Sequence, residues 1–228
     1  MFETGKNASL ILNLAGPMQS WGVDGKFSFR ETLFMPTKSG VIGILCAAMG
    51  IERDDVTNLH RVSKIRMAAA PIKSGNVERD YHTIKDVLKA SGGIKDTELT
   101  ERLYLADWHF VVVLEGAKEL LMEVKQALLN PKWVLFLGRK SCAPSCPIVY
   151  GDCLVDQSIE ELFLVDSEEE VAATVFAQIE DLETKFLGTE LRDVPVNYKS
   201  RTHSTRRVMT KRVSLKGVEH ALFKPNQF

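Results

Sequence analysis

The sequence predicts an α+β fold: a ferredoxin-like (RRM-like) βαββαβ domain over residues 1–146 and a smaller β-rich C-terminal lobe over residues 147–228. Three observations predict it. Apolar runs of strand length alternate with stretches of helical periodicity in the first part. A long polar segment interrupts that part at residues 73–101. The second part has short strand-like pieces and no long helical pattern.

The first strand and the two helices after it have local signals. Residues 8–15 form an apolar run that ends at a Gly-Pro pair, which is typical of a strand followed by a turn. The run VIGILCAAMGI then predicts a helix, with Thr37 or Ser39 as its N-cap. A second, short helix is expected to begin at Asp54 or Asp55, since either side chain can cap it.

The rest of the first domain follows from composition and periodicity. Residues 64–72 and 102–115 predict the next two strands, the second of them rich in aromatic and β-branched residues. The polar insertion between them, residues 73–101, is predicted to pair as an extended hairpin that leaves the domain body. Residues 118–129 have helical spacing, and residues 132–137 regain strand character, which completes the βαββαβ order.

Composition limits the class of protein. The chain has 228 residues, of which 45% are hydrophobic, and this is enough to bury an apolar core. Its formal net charge is −1. Because it contains no apolar stretch of membrane-spanning length and no signal-peptide pattern at its start, we expect a cytoplasmic protein without membrane contact.

The cysteines allow a zinc hypothesis that we do not favour. Cys142, Cys146 and Cys153 lie close together in sequence, and His109 or His203 would have to complete the site from far away. Reduced thiols packed as small apolar groups are the simpler interpretation. We therefore predict no metal and no cofactor.

The small net charge conceals two opposite blocks. Residues 156–183 contain ten acidic residues and no Lys or Arg, whereas residues 197–216 contain seven Lys and Arg and no acidic residue. Either block can be a solvated face, but clustered cations repel one another unless a polyanion neutralises them. The second block therefore contributes Arg201, His203 and Arg206 as candidate contacts to the phosphates of a polyanion.

A second cationic candidate is a predicted turn. In LGRKSC, Arg139, Lys140 and Ser141 follow a glycine, and such turns can present both side chains and backbone N–H groups to phosphate.

Four segments, taken together, resemble one protein family. AGPMQSWG at 15–22, PTKSGVIGILCAAMGI at 36–51, RDYHTI at 79–84 and LGRKSC at 137–142 occur in this order. Each motif alone is unspecific, but the ordered set is similar to the CasD family, the type I-E form of a CRISPR-associated family within the RAMP superfamily of RNA-binding proteins.

The resemblance implies a function and partners. Members of this family bind the repeat-derived 5′ handle of CRISPR RNA (crRNA) inside the Cascade complex, and a long β-hairpin thumb crosses the guide. The expected partners are this RNA, the Cascade backbone subunit and the large PAM-sensing subunit, and indirectly the target DNA. A separate endonuclease matures the RNA in type I-E systems, so the resemblance implies no catalysis here.

Two groups of motif residues near the N-terminus have alternative interpretations. Gln19 and Trp21 lie in an aromatic loop, where Trp21 can either join the core or stack on a base. Lys38 and Ser39 precede a predicted helix, whose N-terminus can bind a phosphate or be capped by the protein itself.

The motif at 79–84 is the one that could support catalysis. Arg79, Tyr81 and His82 suit RNA binding, through phosphate pairing and base stacking, and a structural role is also open. The alternative is a metal-independent endoribonuclease of the type I-C kind, in which His82 acts with Tyr81 or Lys85 in proton transfer.

Overall fold

The architecture is known for residues 7–22, 28–89, 91–164, 174–181 and 188–223 of the computed structural model, so part of the acidic block lies outside the described residues. The described strands are β1 (Asn7–Ala15), β2 (Met18–Gln19), β3 (Phe29–Arg30), β4 (Arg66–Lys73), β5 (Asn76–Leu88), β6 (Ile94–Ala106), β7 (His109–Ala117), β8 (Leu154–Val155), β9 (Val175–Glu180), β10 (Thr189–Asn197) and β11 (Thr202–Val213). The helices are α1 (Lys38–Met49), α2 (Val56–Ser63), α3 (Lys118–Leu129) and α4 (Ile159–Leu162), with a 3₁₀ turn at Lys216–Ala221.

Two sheets organise these strands. A seven-stranded antiparallel sheet has the order β10-β11-β9-β4-β7-β1-β8, and a second sheet is built around β6. β1 and β7 are almost entirely buried and form the centre of the core, against which α1 and α3 pack. The fold is therefore mixed α/β with mostly antiparallel sheets, as the sequence predicted.

The predicted helices form where their local signals lie. Thr37 is the N-cap of α1, because its side chain accepts the N–H of Gly40, and Asp55 caps α2 by accepting the N–H of Asn58. α1 ends at Gly50, whose φ of 72° is readily adopted only by glycine. No helix in the described part of the chain is both long and apolar enough to cross a membrane.

The polar insertion forms a hairpin, here called the thumb, consisting of β5 and β6. Its strands pair from Asn76 and Ala106 at the base to Leu88 and Ile94 at the tip. The predicted single strand 102–115 is wrong: its first part completes the thumb and its second part is β7. The break comes at Asp107, which has a φ of 58° and so turns the chain out of the extended conformation.

The predicted strand at residues 132–137 is also wrong. The edge of β1 that it would have joined is occupied instead by residues 148–155, since Ile11 and Asn13 donate their N–H groups to the carbonyls of Cys153 and Ile148. Residues 132–137 run as an irregular segment beside α1, so the strand next to β1 is the two-residue β8.

The strands after residue 147 continue the main sheet. β9 pairs with β4 through Ala68 and Ile179, and β11 pairs with both β9 and β10. The sheet therefore crosses the boundary predicted at 146/147, and one hydrophobic cluster contains buried residues from both sides of it.

Candidate nucleic-acid interface

One face of the thumb combines cations with an exposed aromatic ring. Because side chains alternate along a strand, the residues that share a face are read from the register of β5 and β6. Arg79, Tyr81 and Lys85 lie on the same face, together with Lys95 of β6. Tyr81 is 61% exposed, although it lies near the base of the hairpin. We call this surface the cationic face.

The cationic face is only partly neutralised. Arg79 forms an ion pair with Glu101, and Lys95 forms one with Glu98. The exposed Lys85 has no ion-pair partner within the described residues. A phosphate could therefore approach Lys85 without displacing a carboxylate.

The opposite face of the thumb is acidic. It contains His82, whose Nδ1 lies 3.7 Å from a carboxylate oxygen of Asp80. By the register this face carries one arginine, Arg102, and the carboxylates of Glu78, Asp80 and Glu98, the last of which is paired with Lys95. A polyanion would be repelled by this surface and attracted by the cationic face.

The thumb does not assemble the catalytic group proposed in the alternative. Tyr81 and Lys85 share the cationic face, but His82 points from the acidic face. A base and an acid that act on one ribose and its phosphate must reach the same few atoms. This separation gives the endoribonuclease hypothesis no support.

The predicted turn at Arg139 braces the base of the thumb. The guanidinium of Arg139 lies 4.6 Å from the centre of the Tyr104 ring and donates to the carbonyls of Leu103 and Arg30 at 3.3 and 3.1 Å. Its donors are thus already engaged with β6 and β3, so the turn is anchored to both strands.

A glycine makes this anchoring possible. Gly138 has a φ of 87°, and a Cβ at that position would lie 1.7 Å from the carbonyl oxygen of Ser20. Ser20 in turn donates its N–H to the carbonyl of Leu137. The motif LGRKSC thus needs its glycine for close backbone approach to the AGPMQSWG loop.

Lys140 and Ser141 are the accessible residues of this turn. Both are exposed, and the ammonium of Lys140 has no ion-pair partner within the described part of the chain. Of the two cations predicted to bind phosphate in this turn, Lys140 is therefore accessible to a phosphate, whereas the donors of Arg139 are already bonded within the protein.

Gln19 and Trp21 belong to the core. Trp21 is 1% exposed and donates its indole N–H to Gln19 Oε1, and Gln19 donates to the carbonyls of Leu14 and Trp108. Neither side chain is accessible to RNA. The prediction that Gln19 and Trp21 contact RNA is therefore corrected to a structural role. For Trp21 this is the core position that the sequence analysis gave as the alternative to base stacking.

Lys38 and Arg206, predicted to bind RNA, belong instead to a buried charge cluster with Glu180 and Asp193. Lys38 Nζ lies 2.8 Å from both carboxylate oxygens of Glu180. Arg206 donates to both oxygens of Asp193, at 2.7 and 2.9 Å. A β-bulge in β10, between Leu191 and Val194, contains Asp193.

The cluster also fills the anion site at the start of α1. The backbone N–H of Lys38 donates to Asp193 Oδ2 at 2.7 Å, so a carboxylate of the protein takes the position predicted for phosphate. Burial lowers the pKa of Lys38, against the opposing effect of Glu180. Lys38 and Arg206 are thus corrected from RNA contacts to internal ion pairs, while Ser39 stays partly accessible.

The remaining cations of the basic block are divided among different surroundings. Lys199 pairs with Asp54, and Arg207 pairs with Glu190. The guanidinium of Arg212 lies over the ring of Phe176. Arg201 is exposed and His203 is partly exposed at the start of β11. Within the block, Lys199, Arg206 and Arg207 are thus each paired with a carboxylate of the protein.

No metal centre forms from the cysteines. Within the described ranges, no three His, Cys, Asp or Glu side chains gather as a metal site would require. Burial raises the pKa values of Cys142, Cys146 and Cys153, as expected for thiols packed among apolar groups.

Sequence reasoning missed one feature near Lys140, a cavity of about 640 Å³ between α1 and residues 133–140. Trp133, Phe136 and Tyr198 contribute to its walls. The apolar run at 132–137 was its signal, but that run was interpreted as a strand.

A protein-family model and a known relative both match this chain. A family model of the CRISPR-associated protein (Cas_Cas5) group matches residues 9–217. The chain is 37% identical, over 158 residues, to the CRISPR system Cascade subunit CasD of Escherichia coli (strain K12), a match covering 63% of this chain and 70% of that protein.

Two solved structures are similar over nearly the whole chain. One is a crystal structure of a Cas protein, with 29% identity and a TM-score of 0.69 over 92% of this chain and 96% of that one. The other is a chain of a CRISPR RNA-guided surveillance complex, with 29% identity and a TM-score of 0.71 over 91% and 90%. This chain therefore belongs to the Cas5 family of CRISPR-associated proteins.

Proposed function

We propose that this chain is a non-catalytic subunit of a type I-E Cascade surveillance complex, in which it binds the 5′ handle of the crRNA. The observation that carries the proposal is the two-faced thumb, whose cationic face presents Tyr81 between Arg79 and Lys85. Cations supply affinity for phosphates, and an exposed aromatic ring can stack on an unpaired base.

The fold and the relatives support the same role. The neighbouring strands β4, β7, β1 and β8 lie in that order in the sheet, α1 and α2 precede β4, and α3 follows β7. This arrangement supports a ferredoxin-like domain with a thumb insertion. The similarity to CasD and to a chain of an RNA-guided surveillance complex favours assembly with other Cascade subunits. We expect the backbone subunit and the large PAM-sensing subunit as direct partners, target DNA as an indirect one, and the cytoplasm as the compartment.

The endoribonuclease alternative is less well supported. It would require His82 to act beside Tyr81 or Lys85, and these side chains leave opposite faces of the thumb. RNA binding requires only the cationic face and Lys140, and it does not require the His82 side chain.

The proposal predicts salt-dependent retention of intact RNA. The chain, purified with its sister subunits, should retain single-stranded RNA of its own repeat sequence, with log K falling by about 0.7 per log unit of salt for each phosphate contact. Filter binding across a salt series measures this slope, and gel analysis of the same samples reports the length of the RNA.

Two outcomes would contradict the proposal. One is failure to retain the RNA even at low salt in the assembled complex. The other is specific cleavage of the repeat that disappears in His82→Ala, which would establish the enzyme instead. A shuffled RNA of equal length serves as the control for sequence preference.

A further inference from the structure

The cavity beside α1 has one wall of small residues and one of aromatic residues. On α1 it is lined by Gly40, Gly43 and Ala47, which repeat at helical spacing and leave a flat surface. Trp133 and Phe136 lie on the opposite side. Its volume of about 640 Å³ is within the range of small-molecule sites, and a single nucleotide would fit in it.

Backbone hydrogen bonds hold the aromatic wall in place. The N–H groups of Lys132 and Trp133 donate to the carbonyls of Ala48 and Ala47, the last turn of α1, at 3.0 and 3.1 Å. At the other end of this wall, Ser20 donates its N–H to the carbonyl of Leu137. The two walls are thus fixed to each other, so the space between them is preformed.

A third side of the cavity is equally fixed. The hydroxyl of Tyr198 donates to the carbonyl of Ser39 at 2.6 Å, which joins the end of β10 to the first turn of α1. Burial raises the pKa of Tyr198, so this hydroxyl keeps its proton near neutral pH.

The charge of the lining favours an anion. Lys140 and Arg53 contribute to it, and none of the described lining residues is Asp or Glu. Burial and, second, the charge of Asp55 raise the pKa of Cys46, but the Asp55 carboxylate already accepts both the backbone N–H and the side-chain amide of Asn58. The cavity therefore combines an apolar slot for a flat group with uncompensated positive charge.

We propose that this cavity binds one nucleotide of the single-stranded guide, with its base between the α1 wall and Trp133 and its phosphate near Lys140 and Arg53. The proposal rests on the proposed function and adds to it a second contact beyond the thumb. Lys140 directly follows Arg139, which contacts β6 at the thumb base. The cavity, which Lys140 lines, therefore lies beside the base of the thumb.

Filling the slot tests the proposal. Gly43→Leu places a side chain in the cavity, and it is compatible with the fold because a Cβ at Gly43 meets only Tyr198 Oη, at an ordinary 3.5 Å. Replacing glycine within a helix also favours the helix. We expect about a tenfold loss of affinity for a 3′-fluorescein-labelled RNA of the repeat sequence, measured by anisotropy in the assembled complex.

A second test variant and two control variants separate this effect from general damage. Gln126→Leu adds a leucine to the exposed surface of α3 and should leave the affinity unchanged. Lys140→Ala should lower the salt slope by about 0.7, as expected for one lost phosphate contact. Lys64→Ala, at an exposed lysine after α2, should leave the slope unchanged.

The possible outcomes are distinct. If Gly43→Leu binds RNA like the unmodified protein while Tyr81→Ala binds it weakly, the cavity proposal fails and the proposed function stands. If Gly43→Leu keeps the RNA but loses a sister subunit on copurification, the cavity is a protein-docking site and the proposal fails. If the unmodified complex retains no RNA, both fail. Should Gly43→Leu not fold, an unchanged salt slope in Lys140→Ala overturns the cavity proposal.

Discussion

Replacing Asp193 with alanine should lower the free energy of unfolding by about 3–5 kcal/mol, the usual cost of removing one partner from a buried ion pair. The Asp193 side chain is fully buried, and that of Arg206 is 4% exposed. The substitution leaves the guanidinium with only Glu180, 3.8 Å from Nη1, and removes the acceptor for the N–H of Lys38. Urea denaturation measures the loss.

A matched pair on the same two strands provides the control. Glu190 of β10 pairs with Arg207 of β11, but this carboxylate is 61% exposed. Glu190→Ala should cost less than about 1 kcal/mol, because solvent screens surface pairs. Equal losses in the two variants would show that the Asp193–Arg206 pair does not stabilise the fold through its burial.

A double variant separates lost pairing from an unpaired charge. Asp193→Ala combined with Arg206→Met removes both charges and leaves Lys38 paired with Glu180. We expect the double variant to be more stable than Asp193→Ala alone, since the main cost of the single change is a buried guanidinium without its carboxylate.

The helices could be predicted from sequence because their signals are local. Thr37 and Asp55 lie within three residues of the N–H groups that they cap, and the periodicity of residues 118–129 is contained in the helix itself. The strand predicted at 132–137 failed because its partner was not local: residues 148–155, further along the chain, occupy the edge of β1. Apolar composition alone does not distinguish a strand from a cavity wall.

The candidate site residues likewise divide into those whose surroundings depend on distant contacts and those whose orientation follows from local sequence. Arg206 was selected by charge density and Lys38 by its position before a predicted helix. Lys38 is buried with Glu180 and Asp193, which lie more than 140 residues away in sequence. No local pattern predicts such a contact. The separation of Tyr81 from His82, by contrast, was readable in advance, because adjacent residues on a hairpin strand point to opposite faces.

Replacing Tyr81 with alanine should weaken binding of the guide by about 5- to 150-fold, which corresponds to the 1–3 kcal/mol typical of one aromatic side chain stacked on a base. Tyr81 is 61% exposed, so its removal exposes no core and should leave the unfolding free energy nearly unchanged. Anisotropy of a labelled repeat RNA with the assembled complex measures the change. Tyr81→Phe should retain most of the affinity, because stacking requires the ring and not the hydroxyl.

The neighbouring residue is a matched control, since it differs from Tyr81 mainly in the face it occupies. His82 points to the acidic face, beside Asp80, so His82→Ala should leave RNA binding within about twofold. Equal losses in Tyr81→Ala and His82→Ala would mean that RNA does not distinguish the two faces. Because the two side chains leave the same strand in opposite directions, a loss confined to Tyr81→Ala identifies the cationic face as the surface that meets the guide.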